Sequence, residues 1–380
     1  MLAQLSIWLS NVFRLGLKEL ASLASDKVLF AFIIYSFSFS VYSVATGVKT
    51  EIENASIAVV DSDQSALSSR LREAFLLPYF RPPAVIDRAE LDPAMDSGER
   101  TFVLDIPPRF EADALRGRQP ALQLNIDATA MTQAGVGAGY IDAIVQRESL
   151  DFLQSRGDTS AVPVKAVTRA FFNPNLEGAW FHSVMAVMEN ITILSILLVG
   201  AAVIREREHG TIEHLLVMPV RASEIAVAKI WANGLVILVA AGLSLHFVVQ
   251  GALGVPIEGS KALFLTGAAA YLFATTSLGI LLATLVRSMP QFALMAIPVF
   301  LILNMLSGAT SPLESMPMAL QTVIQVSPTV HFVKLAQAVL FRAAGLEIVW
   351  PQLLTLAGLG SLFLAAALAR FRTMLARAHQ

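Results

Sequence analysis

The sequence contains no cysteine, and charged residues make up only 15% of it. Without cysteine the chain can form neither a disulfide bond nor a thiolate-liganded metal site. Soluble domains carry about 25% charged residues, whereas hydrophobic residues account for 55% of this chain. The composition therefore indicates a protein that lies largely within a membrane.

Motifs for nucleotide hydrolysis and for catalytic zinc are also absent. No Gly-x-x-x-x-Gly-Lys-Ser/Thr sequence occurs, and the nearest approach, at residues 254–261, has its lysine one place late. His209 and His214 stand five residues apart, so they diverge by about 140° on a helix and cannot share a zinc ion from one face. We expect no bound metal, no cofactor and no enzymatic activity in this chain.

Long apolar runs are what the sequence has in place of such motifs. A hydrocarbon core of about 30 Å takes ~20 apolar helical residues to cross, and only helices or closed barrels satisfy the backbone there. The runs are continuous and do not alternate, so they predict helices. Six spans are predicted, at residues 28–48, 179–204, 230–252, 262–286, 292–310 and 350–369.

Basic residues gather at alternate ends of these spans, which predicts how the protein sits in the membrane. The basic side carries Arg14, Lys18, Lys27, Arg205, Arg207, Arg221, Lys229, Arg287, Arg370, Arg372 and Arg377. The short loops on the other side carry Lys261, Lys334 and Arg342. By the positive-inside rule, both termini are cytoplasmic and residues 49–178 lie outside the cytoplasm. A cleaved signal peptide ending near residues 43–45 is the alternative for the first span.

The external insert, residues 49–178, alternates strand and helix patterns, which predicts a layered α/β domain. Strands are predicted at residues 56–60, 101–106, 121–126 and 162–171, with helices near 88–97, 109–116 and 131–155. Asp61, Asp63 and Ser65 imitate the start of a calcium-binding loop, but Ala66 stands where that loop requires glycine. A helix N-cap explains the same residues.

Two segments outside the spans complete the predicted fold, an all-α six-helix membrane bundle with an inserted extracytoplasmic α/β domain. Residues 5–26 form an amphipathic pattern, with Arg14, Lys18 and Glu19 opposite the apolar stripe. This pattern predicts a helix in the membrane interface, or alternatively a cytoplasmic helix packed on a partner. Residues 311–349 hold stretches too short to span, which predict short helices dipping into the external face.

The loop at residues 205–229 is the segment that most strongly suggests a function. Charges crowd its first four positions, Gly210 interrupts them, and a short apolar stretch ends at Pro219. Apolar groups rimmed by charge are typical of a docking surface. The alternative is a tight interfacial turn whose side chains reach the lipid headgroups.

This loop carries a resemblance to the ABC-2 type transporter permeases, in particular the bacterial six-span group with a large external loop after the first span. The match rests on Glu208-x-Gly210-Thr211-x-Glu213-x-Leu215-Leu216-x-x-Pro219, on Val59-Val60-Asp61-x-Asp63-x-Ser65, and on the order of the spans. The resemblance implies a coupling helix that sits in a groove of a separate ATP-binding cassette subunit, which holds ATP and Mg²⁺. The coupling residues implied are Glu206, Glu208, Gly210, Thr211, Glu213, Leu215, Leu216 and Pro219.

The resemblance also implies partners and an activity. A second permease half, identical or homologous, pairs with this one, and a periplasmic adaptor protein can join the external domain. The expected function is export of a small amphiphilic, drug-like or lipid-like substrate from the bacterial inner membrane or cytoplasm, by alternating access driven by the ATPase subunit. A membrane sensor with a periplasmic ligand-binding domain is the competing class, but its output domain has no room in a longest cytoplasmic loop of about 25 residues.

Polar residues inside the spans are the candidates for a substrate path. A charge at mid-bilayer costs at least ~2.5 kcal/mol, so Glu189 in the second span is expected to face the interior of the bundle. The other candidates are Asn190, His182, His246 and Asn304. The alternative is that these groups hydrogen-bond the helices together.

Overall fold

The computed structural model describes the chain except for residues 1, 48–53, 97–99, 119, 127–130, 156–177, 209–219, 310–312, 314–315 and 379–380. The chain divides into two compact units. We call Met1–Gly47 together with Ala179–Gln380 the membrane unit, and Val48–Gly178 the insert.

The membrane unit begins with a helix at Leu2–Ser25, the N-terminal helix. Among the described residues, five later helices are long and apolar enough to cross a membrane. They are the first span Lys27–Gly47, the second span Gly178–Glu208, the third span Ala222–Ala252, the fourth span Lys261–Leu285 and the last span Leu346–Arg370. Each coincides with a span predicted from the apolar runs.

The remaining predicted span, residues 292–310, corresponds to a shorter helix. This helix, Met289–Met305, has 17 residues and is called the fifth helix below. At 1.5 Å per residue it is about 25 Å long, short of the ~30 Å hydrocarbon core. The helix ends early because Leu306 leaves the helical conformation and Gly308 has a φ of 84°, whereas the apolar run continues past Met305.

A bent pair of helices follows the fifth helix. Met318–Val326 and Pro328–Leu340 meet at 90°, and they match the short helices predicted within residues 311–349. The described chain therefore has five candidate crossings, or six if the bent pair counts as one.

Side-chain caps fix where several of these helices begin. Asp26 separates the N-terminal helix from the first span and accepts a hydrogen bond from the amide of Leu29 at 3.1 Å. Ser260 caps the fourth span in the same way, accepting from the amide of Leu263 at 3.2 Å. Both caps satisfy amides that have no partner within the helix. The helix starts are thus encoded locally, beside the apolar runs that encode the spans.

Two spans contain π-helical turns that the apolar pattern does not predict. These turns are Ser36–Ser40 in the first span and Ser244–Ala252 in the third. A π turn interrupts the regular backbone hydrogen bonds of a helix. The side-chain amide of Asn190 donates to the carbonyl of Ser36 at 2.6 Å, so it joins the second span to the first at the start of the π turn.

The second and fourth spans are the most buried, and they approach each other closely. A Cβ on Gly279 would lie 2.8 Å from the carbonyl oxygen of Ile196, so only glycine fits at this contact. Beside it lies a group of buried hydroxyl-bearing side chains that we call the hydroxyl cluster. Its members are Thr192, Ser195, Tyr271, Thr275 and Thr329.

The insert contains a four-stranded sheet with the order β2-β1-β3-β4. Its strands are β1 at Ile57–Asp61, β2 at Ala84–Val85, β3 at Phe102–Ile106 and β4 at Gln123–Ile126. β1 pairs in parallel with β2 and β3, whereas β4 is antiparallel to β3. Helices lie at Ala66–Glu73, Leu91–Asp96, Phe110–Leu115 and Met131–Ser155. Three predicted strands are present, β2 was missed because it has two residues, and the strand predicted at 162–171 lies outside the described residues.

Ser65 is the N-cap of the helix Ala66–Glu73, and Asp61 and Asp63 beside it also accept hydrogen bonds from backbone amides. Ser65 accepts from the amide of Ser68 at 3.1 Å, and Asp61 accepts from the amide of Gln64 at 2.8 Å. Asp63 accepts from the amide of Glu111 at 3.0 Å. Burial raises the pKa of Asp63, but hydrogen bonds from the Ser65 side chain and from nearby amides bring its pKa below the usual value. The part of the chain that the structure describes has no group of three or more acidic or histidine side chains able to hold a metal ion.

Candidate functional site

Four consecutive residues at the end of the second span, Arg205 to Glu208, make contacts with several different parts of the membrane unit. The guanidinium Nη1 of Arg205 lies 3.7 Å from Oδ2 of Asp26, the cap of the first span. Oε1 of Glu206 lies 3.0 Å from Nζ of Lys229 in the third span. The start of the predicted coupling loop is therefore tied to the protein's own helices.

The next two residues reach the fourth span and the fifth helix. Nη1 of Arg207 donates to the carbonyl of Val286 at 2.7 Å, just past the end of the fourth span. Oε1 of Glu208 accepts from the amide of Met289 at 2.8 Å, at the first residue of the fifth helix. A carboxylate at a helix N-terminus and a guanidinium at a helix C-terminus both match the helix dipole. The second span thus ends in a short segment bonded to four other elements.

Lys229 lies at the centre of this region. Its side chain is 2% exposed, and its Nζ lies 2.9 Å from Oε1 of Glu19 and 3.0 Å from Oε1 of Glu206. Lys18 adds a longer contact of 3.9 Å to Glu206. A buried ammonium is tolerated when it is paired and hydrogen-bonded. We call Glu19, Glu206 and Lys229 the charged clasp.

A cavity of about 300 Å³ borders the charged clasp. Its polar wall includes Lys18, Arg205 and Asn233, and its apolar wall includes Leu29 and Leu198. The clasp carboxylates keep some exposure, 14% for Glu19 and 18% for Glu206, whereas Lys229 is enclosed. The region therefore combines a fixed cation with space beside it.

The N-terminal helix lies along the start of the third span. Nε1 of Trp231 donates to the carbonyl of Val12 at 3.2 Å, and the rings of Phe13 and Trp231 are stacked 5.9 Å apart. Val12 is buried, whereas Leu5 and Leu9 remain exposed. The helix therefore packs on its own chain through a narrow strip and leaves the rest of its apolar stripe open.

Two of the eight predicted coupling residues lie in the described structure, Glu206 and Glu208. Their carboxylates bond to Lys229 and to the amide of Met289, so they brace the base of the loop. The other six are outside the described residues: Gly210, Thr211, Glu213, Leu215, Leu216 and Pro219.

Sequence reasoning missed the charged clasp. Lys229 served there only as an orientation signal, and Glu19 was placed on the polar face opposite the apolar stripe. The structure corrects this placement, because Glu19 turns toward the third span and pairs with Lys229. The available signal was a lysine directly before the predicted third span, where a cation enclosed by the membrane unit requires an anionic partner.

The candidates for the substrate path fall into separate contacts. Nδ2 of Asn304 in the fifth helix donates to Oε1 of Glu189 in the second span at 3.0 Å, so these two candidates form a pair. Asn190 bonds to the first span. His246 lies beside Lys261, with its Nδ1 3.3 Å from Nζ, and the ring of His182 lies edge-on to Phe181. The five residues do not gather into one site.

An apolar groove runs between the first and third spans. Its volume is about 570 Å³, within the range of pockets that hold drug-sized ligands. Lining side chains include Phe30, Ile34, Phe37, Val239, Leu243 and Phe247. Both π-helical segments contribute to this groove, through Phe37 and Ser38 on one side and Ser244 and Phe247 on the other.

These features define an integral membrane protein built from at least five candidate crossings, with the end of the second span braced by charge. The model of the ABC-2 family transporter proteins matches residues 28–369 of this chain. The chain belongs to the ABC-2 transporter family, and the resemblance seen in the sequence is confirmed.

Relatives cover nearly the whole chain. The inner membrane transport permease YhhJ of Escherichia coli K12 is 53% identical over 364 residues, 96% of this chain and 97% of the relative. The probable multidrug ABC transporter permease YbhR of the same strain is 28% identical over 359 residues, 93% of this chain and 96% of the relative. Permeases are the membrane subunits of ABC transporters and lack an ATPase site of their own, as expected for this chain from its sequence.

Proposed function

We propose that the protein is the membrane permease subunit of an ATP-binding cassette exporter in a bacterial inner membrane. Its family and its candidate spans support a transport role. The observation that carries the proposal is the bracing of Arg205 to Glu208, immediately before the segment that matches the family's coupling helix. A braced segment can pass a push from a partner to several helices at once.

In this proposal ATP and Mg²⁺ bind to a separate ATPase subunit. Its closure presses on residues 209–219, where Gly210, Thr211, Glu213, Leu215, Leu216 and Pro219 form the contact surface. The push moves the second span, and the contacts of residues 205–208 carry the movement to the other helices. Energy is transmitted because the two packings of the spans bind the closed ATPase with different affinity.

The substrate is proposed to be a small amphiphilic, drug-like or lipid-like molecule that is moved out of the cell. The pair of Glu189 and Asn304 supplies one polar contact between the second span and the fifth helix. The apolar groove of about 570 Å³ has the size and lining that such a molecule requires. Relatives at 28% identity carry the name of probable multidrug permeases, which favours the drug-like class.

The remaining parts of the proposal concern orientation and assembly. The distribution of basic residues favours cytoplasmic termini and a periplasmic insert, where an adaptor protein can reach it. A second permease half completes the path. Exposed apolar side chains of the fifth helix, including Leu294, Leu301 and Met305, suit contact with that half or with lipid.

The decisive experiment is mild extraction of the tagged protein from its native membrane, followed by identification of the chains that co-purify and assay of their ATPase activity. We expect an ATP-binding cassette subunit that dissociates when Glu213 and Leu216 are replaced together by lysine. Glu258→Lys, an exposed charge reversal distant from the loop in sequence, is the matched control and should retain the subunit.

Gly210→Pro gives a second test of the same loop, because proline fixes φ and removes a backbone amide at a position of the coupling motif. The variant should stay in the membrane at the normal level and lose ATP-dependent export. A single purified species without ATPase activity in several detergents would instead favour the membrane sensor.

A further inference from the structure

The charged clasp lies at the two roots of the coupling segment. Glu206 precedes that segment at the end of the second span, and Lys229 follows it inside the third. Their contact of 3.0 Å closes the loop between them at its base. One ion pair therefore joins the two helices between which residues 209–219 lie in the chain.

The N-terminal helix is attached at the same point. Glu19 binds the Nζ of Lys229 at 2.9 Å, so a single ammonium joins the N-terminal helix, the second span and the third span. Nearer the start of the third span, Nε1 of Trp8 in the N-terminal helix donates to Oγ of Ser223 at 3.3 Å. Buried Glu224 accepts from the amide of Arg221 at 2.8 Å. Within this set, Lys229 has a carboxylate on either side.

We infer that Lys229 is a positioning residue, which fixes the N-terminal helix to both roots of the coupling segment. A push on that segment then moves the N-terminal helix together with the second and third spans. This inference rests on the proposed coupling role of residues 209–219. It assigns Lys229 and Glu19 to energy transmission. The N-terminal helix would then move during transport, in addition to lying in the membrane interface as its sequence predicts.

The chemistry of the clasp favours positioning over stabilisation. Buried ion pairs often contribute no more stability than apolar residues of equal volume, whereas they do fix the geometry of the groups that they join. The carboxylates of Glu19 and Glu206 border the cavity and keep some exposure. A neutral version of the clasp should therefore fold, which allows its mechanical role to be tested separately.

The test uses the absence of cysteine, which allows two spin labels to be attached at chosen sites. Leu9→Cys on the N-terminal helix and Leu354→Cys on the last span are both exposed. The distance between the labels is measured by pulsed electron resonance in the full permease–ATPase complex, without nucleotide and with a non-hydrolysable ATP analogue. With native Lys229 we expect the distance distribution to shift when the analogue binds.

The neutral variant combines Lys229→Met with Glu19→Gln, which removes one charge of each sign, and it keeps Glu206 native with Lys18 3.9 Å away. It should keep the ATPase subunit and the basal ATP hydrolysis, and lose at least half of the distance shift. The single variant Lys229→Arg, with Glu19 native, should show the full shift, because arginine keeps the positive charge. Lys334→Met replaces an exposed lysine elsewhere and should leave the shift unchanged.

Each other outcome has a defined meaning. A full shift in the neutral variant, or no shift with native Lys229 in an active complex, overturns the inference. Loss of the fold or of the ATPase subunit in the neutral variant also overturns it, since Lys229 would then act as a structural residue. Failure of any ATPase subunit to co-purify with the native permease counts against the proposed function instead.

Discussion

The membrane unit contains two polar clusters, and each joins three elements. One cluster consists of neutral hydroxyl groups and the other of charged groups. The hydroxyl cluster links the second span, the fourth span and the bent pair through neutral groups, with Tyr271 OH 2.7 Å from Thr192 Oγ1 and 3.1 Å from Thr329 Oγ1. The charged clasp links the N-terminal helix, the second span and the third span through one lysine and two carboxylates.

The surroundings of the two clusters differ as much as their chemistry. The hydroxyl cluster lies in the closely packed contact of the second and fourth spans, and its members are fully buried. The charged clasp borders a cavity of about 300 Å³ at the start of the predicted coupling loop. The difference separates a closely packed centre, where neutral hydrogen bonds complete the packing, from an end where ion pairs join helices beside a cavity. The first suits a static centre, and the second suits the joint movement that we infer.

Emptying the hydroxyl cluster should have the largest effect on stability. Tyr271 is fully buried and stacks on Phe332 with ring centroids 4.3 Å apart. Tyr271→Ala should cost about 3–5 kcal/mol, as loss of a buried aromatic ring does. Tyr271→Phe keeps the ring and should cost about 1–3 kcal/mol, because two threonine hydroxyls lose a partner. Unfolding of the purified protein in mixed micelles measures both, and equal stability of the two variants would contradict a packed, static centre.

Changing the charged clasp should separate stability from coupling. Lys229→Met removes the buried ammonium that both carboxylates share and should cost up to about 3 kcal/mol. This is toward the low end for a broken buried pair, because the carboxylates border the cavity. Adding Glu19→Gln and Glu206→Gln should return the stability to within about 1 kcal/mol of the native protein. The same unfolding assay applies. A triple variant less stable than Lys229→Met would remove the contrast between the two clusters.

Sequence reasoning predicted the parts of this fold that are encoded locally. The apolar runs predict six spans because lipid leaves the backbone no alternative to a helix, and five of these spans coincide with helices long enough to cross. They overextend the run at residues 292–310, since the helix ends at Met305 and Gly308 has a positive φ. The N-cap at Ser65 was predicted as well, because it depends on residues close in sequence, whereas Asp63 accepts from the amide of Glu111, 48 residues away.

The charged clasp could not be predicted in the same way. Glu19 and Lys229 are 210 residues apart in sequence, and no periodic pattern connects them. The amphipathic pattern of the N-terminal helix ranks every charge as outward-facing, so it misplaces the one glutamate that turns inward. Glu189 and Asn304 were identified singly from their rarity in apolar spans, whereas their pairing required the fold.

The pair of Glu189 and Asn304 joins one carboxylate to one neutral amide. Its variants should therefore have a smaller effect on stability than those of the two clusters. Glu189→Gln still accepts from Asn304 and should cost about 1 kcal/mol, the difference between a charged and a neutral hydrogen bond. If the pair contacts substrate, export of cationic amphiphiles should fall in this variant. Growth of a strain that depends on the exporter, challenged with cationic and neutral compounds, measures the change. An equal loss for both compound types would assign the pair to helix packing.

The smallest expected effect concerns Glu208, whose carboxylate accepts from the amide of Met289 at 2.8 Å. Glu208→Gln keeps a hydrogen-bond acceptor and loses only the charge that matches the helix dipole, so it should cost about 0.3–1 kcal/mol. Thermal unfolding in detergent, compared at low and high salt, measures this contribution, and high salt should reduce it because the contact is exposed. A loss above 2 kcal/mol would show that the exposed contacts of residues 205–208 contribute substantially to the stability of the fold. The distinction between a static centre and a movable end would then fail at Glu208, the outermost of these contacts.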